Sequence, residues 1–472
     1  MKHLFILTLL WPFISNSVFS QRKNPVDSVL YQHIAVLSSD SLEGRLTGTK
    51  GSKIAAKYIS DFFIKHELNN SSLRNNYQLF PLFKSQWGDV YIKQENRLIS
   101  NFDNMAFTGH APINDEVKKQ IVFVGEGDDE TLYKFDLNDK VVIVAVNNIR
   151  STHALSKKIQ RRGAFAVFYF NPNNSLQFES YQSTMKDHIL KQRITINKID
   201  NTQSSRSFIF DNKEIARLLN VPVSKLKRIS KGNHYENVPP SQISLKCVQV
   251  NEELEAQNIV GIFEANDTKD AIVISAHYDH LGIVGDEIYN GADDNTSGVS
   301  AVLYIAEKIK NEIDASKVNK NIIFLLTDAE ESGLLGSKSF VASSFLSQYN
   351  IVKNINLDMI GRVDNKHKKN KPYIYVIGLD KYPEFIAPIN LAVSQSDIDV
   401  DLSLNNSMAI GLYYYRSDQL SFHNAGIPAI FLFGGTHEQY HTPEDDVNRI
   451  NFHQLQKRSD FIYSLVKTIV YE

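Results

Sequence analysis

The chain has 472 residues, and because a typical domain holds about 100 to 200 residues, we expect two or three domains rather than one compact core. Apolar residues make up 42% and charged residues 22%, which argues against a disordered, collagen-like or multi-span membrane protein. The 51 basic and 53 acidic side chains leave a formal charge of -2, so no global field favours nucleic acid or anionic lipid.

The first twenty residues, 1–20, have the pattern of a cleaved secretory signal peptide. Lys2 and His3 precede an apolar stretch from Leu4 to Phe13, and small or polar residues follow through Ser20. This stretch is too short to span a bilayer. We therefore expect an exported protein, periplasmic or extracellular, with no stable membrane insertion after cleavage before Gln21. The alternative is an N-terminal helix of the mature fold.

Cys247 is the only cysteine of the sequence. It cannot form an internal disulfide, and its surroundings predict a half-buried strand residue rather than a catalytic thiol.

The segment from Asp27 to Leu68 predicts two helices with a glycine-containing turn between them. From about Tyr77 to Val250 the pattern changes to short strands and turns, of which 120–125 and 140–145 are the clearest strands.

After about Asn251, short apolar runs alternate with helix-length amphipathic segments, which is typical of an α/β domain with a central sheet. The best helices are 297–311 and 452–471. The predicted strands are 259–263, 271–275, 321–326, 355–357, 373–377 and 427–433.

Histidines and carboxylates follow the ends of several predicted strands, where ligands bind in open α/β sheets. They are His277, Asp279, Asp293, Asp294, Glu330, Glu331, Asp358 and His441. Each alone could be a helix cap, a structural histidine or a surface acid. Their recurrence at successive strand ends favours a hydrolytic zinc site, with more ligands than one tetrahedral ion needs.

A rival motif lies at 437–441, where His437 and His441 flank a glutamate in the H-E-x-x-H pattern of thermolysin-type zinc proteases. That mechanism requires both histidines on one helix. Glycines precede the stretch and Pro443 follows it, so we interpret it as a loop in which only His441 is a ligand. His437 and Glu438 are then expected at the rim of the site.

Several stretches together resemble the M28 family of metallopeptidases, which are co-catalytic zinc exopeptidases. The stretches with this resemblance are 275–282, 290–298, 327–337, 356–362 and 439–446. Residues 42–51 also resemble the start of that domain, and 137–144 with 162–167 resemble the protease-associated (PA) domain inserted in many members.

The resemblance implies an α/β fold with a central mixed β-sheet flanked by helices, of the zinc-exopeptidase type. Residues 21–76 and 251–472 would form the peptidase domain. Residues 77–250 would form an inserted, smaller β-rich or α+β domain of the PA type.

The resemblance also implies two zinc ions per chain, although other divalent ions suit the same donors. Their ligands would be His277, Asp294, Glu331, Asp358 and His441. His277 and Asp358 would bind one ion, Glu331 and His441 the other, and Asp294 would bridge them.

Three further positions match catalytic roles in the family. Glu330 matches the general base, and Asp279 matches the acid that orients the first histidine. Tyr440 matches a residue that could stabilise an oxyanion, or it could be a packing aromatic. Where many relatives carry histidine, this chain has Gln419, which leaves substrate recognition at the rim open.

The leading hypothesis is therefore an exported zinc aminopeptidase acting on peptides. The alternatives are a glutaminyl-peptide cyclotransferase, a carboxypeptidase or dipeptidase on the same fold, and a receptor-like relative without catalysis. The oligomeric state does not follow from the sequence.

Overall fold

The computed structural model describes residues 28–69, 72–150, 152–190, 193–198, 205–231, 238, 241–368 and 371–472. The predicted signal peptide at 1–20 lies outside the described residues. The helices are α1 (Val29–Leu37), α2 (Lys50–Lys65), α3 (Asp129–Lys134), α4 (His153–Arg161), α5 (Leu176–Leu190), α6 (Asn212–Leu218), α7 (Leu226–Ile229), α8 (Gly298–Glu312), α9 (Leu335–Val341), α10 (Ile386–Ser394), α11 (Ser407–Leu412), α12 (Gln419–Asn424) and α13 (Phe452–Tyr471). The strands are β1 (Tyr77–Gln94), β2 (Arg97–Ser100), β3 (Met105–Phe107), β4 (Ile113–Phe123), β5 (Val141–Ala145), β6 (Ala166–Phe170), β7 (Arg193–Thr195), β8 (Ser207–Phe210), β9 (Ser241–Phe263), β10 (Asp270–His277), β11 (Gly282–Val284), β12 (Glu287–Tyr289), β13 (Asn321–Thr327), β14 (Asn350–Asp358), β15 (Tyr373–Ile377), β16 (Asp399–Asp401) and β17 (Ala429–Phe433).

The chain divides into two compact units. Unit 1 comprises the residues up to Tyr77, Ile259–Thr327 and Ser344–Glu472. Unit 2 comprises Gln78–Asn258 and Asp328–Ser343.

Unit 1 is built on a mixed sheet with the strand order β16-β15-β17-β14-β10-β13-β9. The strand β10 pairs in parallel with β13 and β14, and β14 pairs in parallel with β17. The residues 259–263 of β9 pair antiparallel to β13, and β15 pairs antiparallel to β17. The predicted α/β fold with a central mixed β-sheet and flanking helices is confirmed.

One face of this sheet packs against helices in a large apolar core. The helices α1, α2, α8, α10 and α13 contribute to that core together with alternate strand residues such as Ile272, Ile274 and Phe324. All seven residues of β13 are buried, as expected of a strand that is covered on both faces. The predicted helices 297–311 and 452–471 correspond to α8 and α13.

The opposite face of the same sheet carries a buried polar network instead of a purely apolar layer. The Ser275 hydroxyl donates to Oδ1 of Asn356 over 2.7 Å, and Nδ2 of Asn354 donates to the Ser275 hydroxyl over 3.0 Å. Since buried polar groups must be paired, this network fixes how the strands β10 and β14 lie side by side.

The N-terminal helices of unit 1 begin at polar caps. The Ser28 hydroxyl accepts the N–H of Tyr31, and the Thr49 hydroxyl accepts that of Ser52. Between the helices, a turn over Asp40–Arg45 includes Gly44 at a φ of 66°, where a Cβ would overlap the carbonyl oxygen of Tyr289. The turn therefore lies closely against the β11–β12 hairpin.

The strands of unit 2 follow the order β9-β4-β5-β6-β8-β3, with β1, β2 and β7 attached. Two apolar cores flank these strands, one of which contains the predicted strand residues Val141 and Ile143. Cys247 lies in β9 and is fully buried rather than half-buried as expected, and this burial raises the pKa of its thiol. Among the described helices, none has the length and apolarity needed to cross a bilayer.

Candidate metal centre

Two predicted ligands stand at the carboxyl ends of neighbouring parallel strands. His277 is the last residue of β10, and Asp358 is the last residue of β14. Both are buried, and Nε2 of His277 lies 3.6 Å from Oδ1 of Asp358. Because parallel strands end at the same edge of a sheet, two polar strand ends that are distant in sequence meet here.

Asp294 reaches this edge from an irregular turn, Ala292–Ser297, directly before α8. Hydrogen bonds between side chains of the turn and the backbone of residues 357–361, at and just after the end of β14, hold the two segments together. They are Asn295 Nδ2 to Leu357 O (2.8 Å), Met359 N to Asn295 Oδ1 (3.2 Å), Ile360 N to Ser297 Oγ (3.0 Å) and Gly361 N to Asp293 Oδ1 (2.6 Å). The polar run before the helix therefore fixes Asp294 next to the end of β14.

The Asp294 carboxylate faces three histidines. Its Oδ1 lies 3.3 Å from Nε2 of His277, and its Oδ2 lies 3.1 Å from Nε2 of His441. Nδ1 of His280 lies 3.9 Å from the same Oδ2. Within unit 1, the structure thus brings together four of the five predicted ligands, His277, Asp294, Asp358 and His441.

The two aspartates of this cluster have opposite pKa shifts. Burial alone would raise the pKa of Asp294, but hydrogen bonds from His277 and His441 and the nearby His280 outweigh burial and hold that pKa well below its usual value. Burial raises the pKa of Asp358, and the adjacent His277 offsets this only in part. A cation would favour the charged form of both carboxylates.

One oxygen of Asp358 is already held by the protein, and the other is not. The Ser417 hydroxyl donates to Oδ2 over 2.7 Å. Among the described residues, nothing donates a hydrogen bond to Oδ1, although this atom is buried. A buried carboxylate oxygen beside an imidazole nitrogen is a donor pair that zinc uses, so the residues present fit a divalent cation.

Asp279 lies where it can orient His277, but its backbone is closer than its carboxylate. Nδ1 of His277 is 3.2 Å from the carbonyl oxygen of Asp279 and 3.7 Å from its Oδ1. The Thr47 hydroxyl donates to the Asp279 carboxylate over 3.3 Å. If Nδ1 carries the proton, Nε2 is unprotonated. It can then bind a metal ion on the side that faces Asp294 and Asp358.

His441 lies in a loop rather than on a helix. Residues 438–441 form a turn, and His441 itself has a φ of 56°. The Tyr440 ring stacks on the imidazole of His441, with 3.9 Å between ring centroids, and the tyrosine is 40% exposed. The two histidines of the H-E-x-x-H string therefore do not share a helix face, as the sequence predicted.

The expectation that His437 lies at the rim is wrong. Its side chain is only 4% exposed, and its Nε2 lies 3.1 Å from Oδ2 of Asp293. Asp293 is thus turned away from the ligand cluster, towards His437 and the N–H of Gly361. Glu438, in contrast, is exposed.

Gln419, which we expected at the substrate-binding rim, does not lie there. It is fully buried, its Oε1 accepts from Asn356 over 2.8 Å, and its Nε2 donates to the carbonyl of Tyr414 over 2.5 Å. Asn356 in turn donates to the Ser417 hydroxyl over 2.9 Å. Gln419 therefore belongs to the polar network under the strands.

Glu330 and Glu331 lie in the segment Asp328–Ser343, which is part of unit 2. They follow Thr327, the last residue of β13, by three and four positions. The carbonyl of Glu330 accepts the N–H groups of Gly333 and Leu334, both over 2.8 Å, so a tight turn follows the pair.

Sequence reasoning missed two site residues. His280 is fully buried beside Asp294. It belongs to the stretch 275–282, whose resemblance to the family could have identified it as a site residue. Asp445 accepts the N–H groups of Asp293 and Asp294 over 3.0 to 3.1 Å and so holds the start of the ligand turn. Burial, together with the charge of Asp293, raises the pKa of Asp445 to about 6.

Comparison with known proteins gives a consistent family match. Residues 258–466 match the model described as Peptidase family M28. Aminopeptidase YwaD of Bacillus subtilis (strain 168) is 32% identical over 228 residues, which cover 46% of this chain and 44% of that protein. The uncharacterized protein YfbL of Escherichia coli (strain K12) is 27% identical over 222 residues, which cover 41% of this chain and 66% of that protein.

A solved structure described as BSAP, a zinc aminopeptidase from Bacillus subtilis, aligns over 94% of each chain at 20% identity with a TM-score of 0.49. In the sequence comparisons, the chain spans roughly half the length of curated relatives such as YwaD.

Proposed function

We propose that this chain, which carries a Peptidase family M28 domain over residues 258–466, is a zinc-dependent aminopeptidase that removes N-terminal residues from peptides. The observation that carries the proposal is the convergence of His277, Asp294, Asp358 and His441 at one edge of the unit 1 sheet. Two imidazoles and two carboxylates within these distances form a donor set of the zinc-hydrolase type.

In this proposal His277 and Asp358 would hold one ion, His441 and Glu331 would hold the second, and Asp294 would be shared between them. Asp294 suits the bridging role because its two oxygens face different histidines, His277 and His441. When bound, a pair of divalent ions supplies Lewis-acid chemistry and lowers the pKa of water towards 7.

The chain's own residues would carry the proton. Glu330 accepts it from the attacking water and returns it to the leaving amine, which is the part a positioned carboxylate can perform in peptide hydrolysis. The Tyr440 hydroxyl donates to the oxyanion that develops on the peptide carbonyl. Asp279 keeps His277 in the required orientation.

We further propose that residues 77–250 form an inserted domain of the PA type and that the rest of the mature chain forms the peptidase domain. Unit 2 supports this because it is a compact unit with its own apolar cores. Export through a signal peptide at residues 1–20 completes the proposal, and the basic start followed by the mainly apolar stretch from Leu4 to Phe13 supports it.

The experiment is mass spectrometry of a defined peptide pool incubated with the zinc-loaded mature protein, with a chelator-treated sample beside it. Chelator-sensitive loss of single N-terminal residues is expected. Loss of C-terminal residues would replace the proposal with a carboxypeptidase, and loss of ammonia from N-terminal glutamine alone would replace it with a cyclotransferase.

The variants Glu330→Gln and Glu438→Gln form a matched pair for the same assay, because each removes one charge from the glutamate that one of the two rival motifs would use as the general base. We expect Glu330→Gln to lower kcat by roughly 10² to 10⁴ while zinc binding is retained. Glu438→Gln should keep wild-type activity. The reverse result would support the thermolysin-type mechanism instead.

A further inference from the structure

Arg45 is a buried arginine whose guanidinium is surrounded by backbone carbonyl groups. It is 1% exposed and lies at the end of the turn between α1 and α2. Nη1 donates to the carbonyl oxygen of Leu37 over 2.5 Å, which attaches Arg45 to the C-terminal end of α1. A buried guanidinium is costly unless its N–H groups are paired, so these bonds hold the side chain in one orientation.

The remaining donors of Arg45 reach the two loops that carry proposed metal ligands. Nε donates over 2.7 Å to the carbonyl of Tyr278, which stands between His277 and Asp279. Nη1 and Nη2 donate to the carbonyls of Asn290 and Gly291, over 2.6 and 3.1 Å.

Asn290 and Gly291 lead directly into the turn that contains Asp294. One rigid planar group therefore joins the backbone at His277 to the backbone that carries Asp294. These are the two residues whose side chains lie 3.3 Å apart in the ligand cluster.

The neighbours of Arg45 reinforce the same connection. The carbonyl of Arg45 accepts the N–H of His280 over 3.4 Å, and the Thr47 hydroxyl donates to Asp279. Earlier in the turn, the Asp40 carboxylate accepts from Nδ2 of Asn290 over 2.7 Å. The N-terminal segment 40–47 thus contacts both ligand loops through the side chain and backbone of several residues.

We propose that Arg45, assisted by Thr47, is a positioning residue of the metal centre. It sets the distance between His277 and Asp294, and through that distance it sets the affinity for the ions. Lysine cannot replace it, because a single ammonium group has no planar fork with which to reach carbonyls of two loops and a helix end. This inference rests on the proposed metal centre.

The test compares zinc dissociation constants, measured by competition with a chromophoric chelator, in wild type, Arg45→Lys and Thr47→Val. Arg45→Lys should weaken zinc binding by about 10- to 100-fold. Thr47→Val keeps the shape of the side chain and loses the hydrogen bond to Asp279, so the zinc dissociation constant should rise a few-fold. Thr47→Val also keeps the proposal testable if Arg45→Lys does not fold.

A control variant separates positioning from general stability. Ile469 is buried in α13, and its carbonyl accepts from Lys320, just before the start of β13, at the opposite end of the strands from the ligands. Ile469→Ala should destabilise the zinc-free protein towards urea and leave the zinc dissociation constant within about twofold of wild type.

Unchanged zinc affinity in both Arg45→Lys and Thr47→Val would overturn the inference while the metal centre stands. An equal loss of affinity in Ile469→Ala would also overturn it, because the effect would then follow stability alone. If the wild-type protein binds no zinc, the proposed metal centre itself fails.

Discussion

Nε2 of His441 lies 3.1 Å from Oδ2 of Asp294. The other oxygen of the same carboxylate faces His277. A carboxylate placed between two imidazoles can serve two ions, which neither histidine can do alone. Asp293, one residue earlier, faces His437 instead and so cannot take this position.

We therefore predict that Asp294→Asn binds fewer than two zinc ions per chain, as measured by elemental analysis after dialysis. Asp293→Asn is the matched control, because it removes the same charge from the neighbouring residue. It should disturb the turn but retain both ions. Full zinc content in Asp294→Asn, together with a loss of zinc in Asp293→Asn, would show that Asp293 and not Asp294 is the bridging carboxylate.

Tyr440 offers a separate test of oxyanion stabilisation. Tyr440→Phe keeps the ring that stacks on His441 and removes only the hydroxyl. If the hydroxyl donates to the oxyanion, kcat should fall by about 10²-fold with little change in KM.

Tyr440→Leu removes the ring as well, and it shows what the stacking contributes. Wild-type kcat in Tyr440→Phe together with a loss in Tyr440→Leu would make Tyr440 a packing residue for His441.

Gln419 should affect stability and not substrate choice, because it is buried under the strands. Gln419→Ala leaves the Tyr414 carbonyl and the Asn356 amide without their partner. Each unpaired buried group costs about 1–3 kcal/mol, so for the two groups the free energy of unfolding should fall by roughly 2–6 kcal/mol in urea titrations. The ranking of peptides by kcat/KM should stay that of wild type, and a changed ranking would return Gln419 to the substrate site.

An acid-sensitive cluster lies around His367, whose Nδ1 is 2.8 Å from Asp364 and whose Nε2 is 3.0 Å from Asp401. Although burial acts to raise it, the pKa of Asp401 is lowered from 3.8 to about 2 by hydrogen bonds from Lys366 and Ser403. A carboxyl group whose pKa is lower in the folded than in the unfolded state stabilises the fold at pH values above its unfolded-state pKa. For Asp401 this contribution is lost as the pH falls through about 2.

The measurement is the urea midpoint of wild type and of Asp401→Asn, both with chelator, from pH 6 downward. Wild type should be more stable by a constant amount above about pH 4, and the difference should shrink as the pH approaches 2. A difference that grows on acidification would contradict the assigned sign.

The strands of the unit 1 sheet could be predicted from the sequence because they depend on local patterns, whereas the metal ligands stay a prediction. Apolar runs followed by a histidine or carboxylate placed His277 and Asp358 at strand ends, and those strands are β10 and β14. The irregular turn at Asp294 needed the resemblance to a family, since no periodicity marks it.

The supporting contacts could not be predicted, because they join residues that are distant in the chain. Ser417 is 59 residues from Asp358, Asp445 is 152 from Asp293, and Arg45 is 233 from Tyr278. No local pattern states which distant backbone group such a side chain meets. Gln419 was misplaced for the same reason, since a polar residue near a motif gives no measure of its depth.

We propose that His277, Asp294, Asp358 and His441, with Glu331, hold two divalent ions. The most direct measurement is native mass spectrometry of the mature protein titrated with zinc after complete chelation. We expect two zinc ions to bind per wild-type chain and fewer than two to bind to the Asp294→Asn variant. Saturation at one ion, or no binding at all, would contradict it.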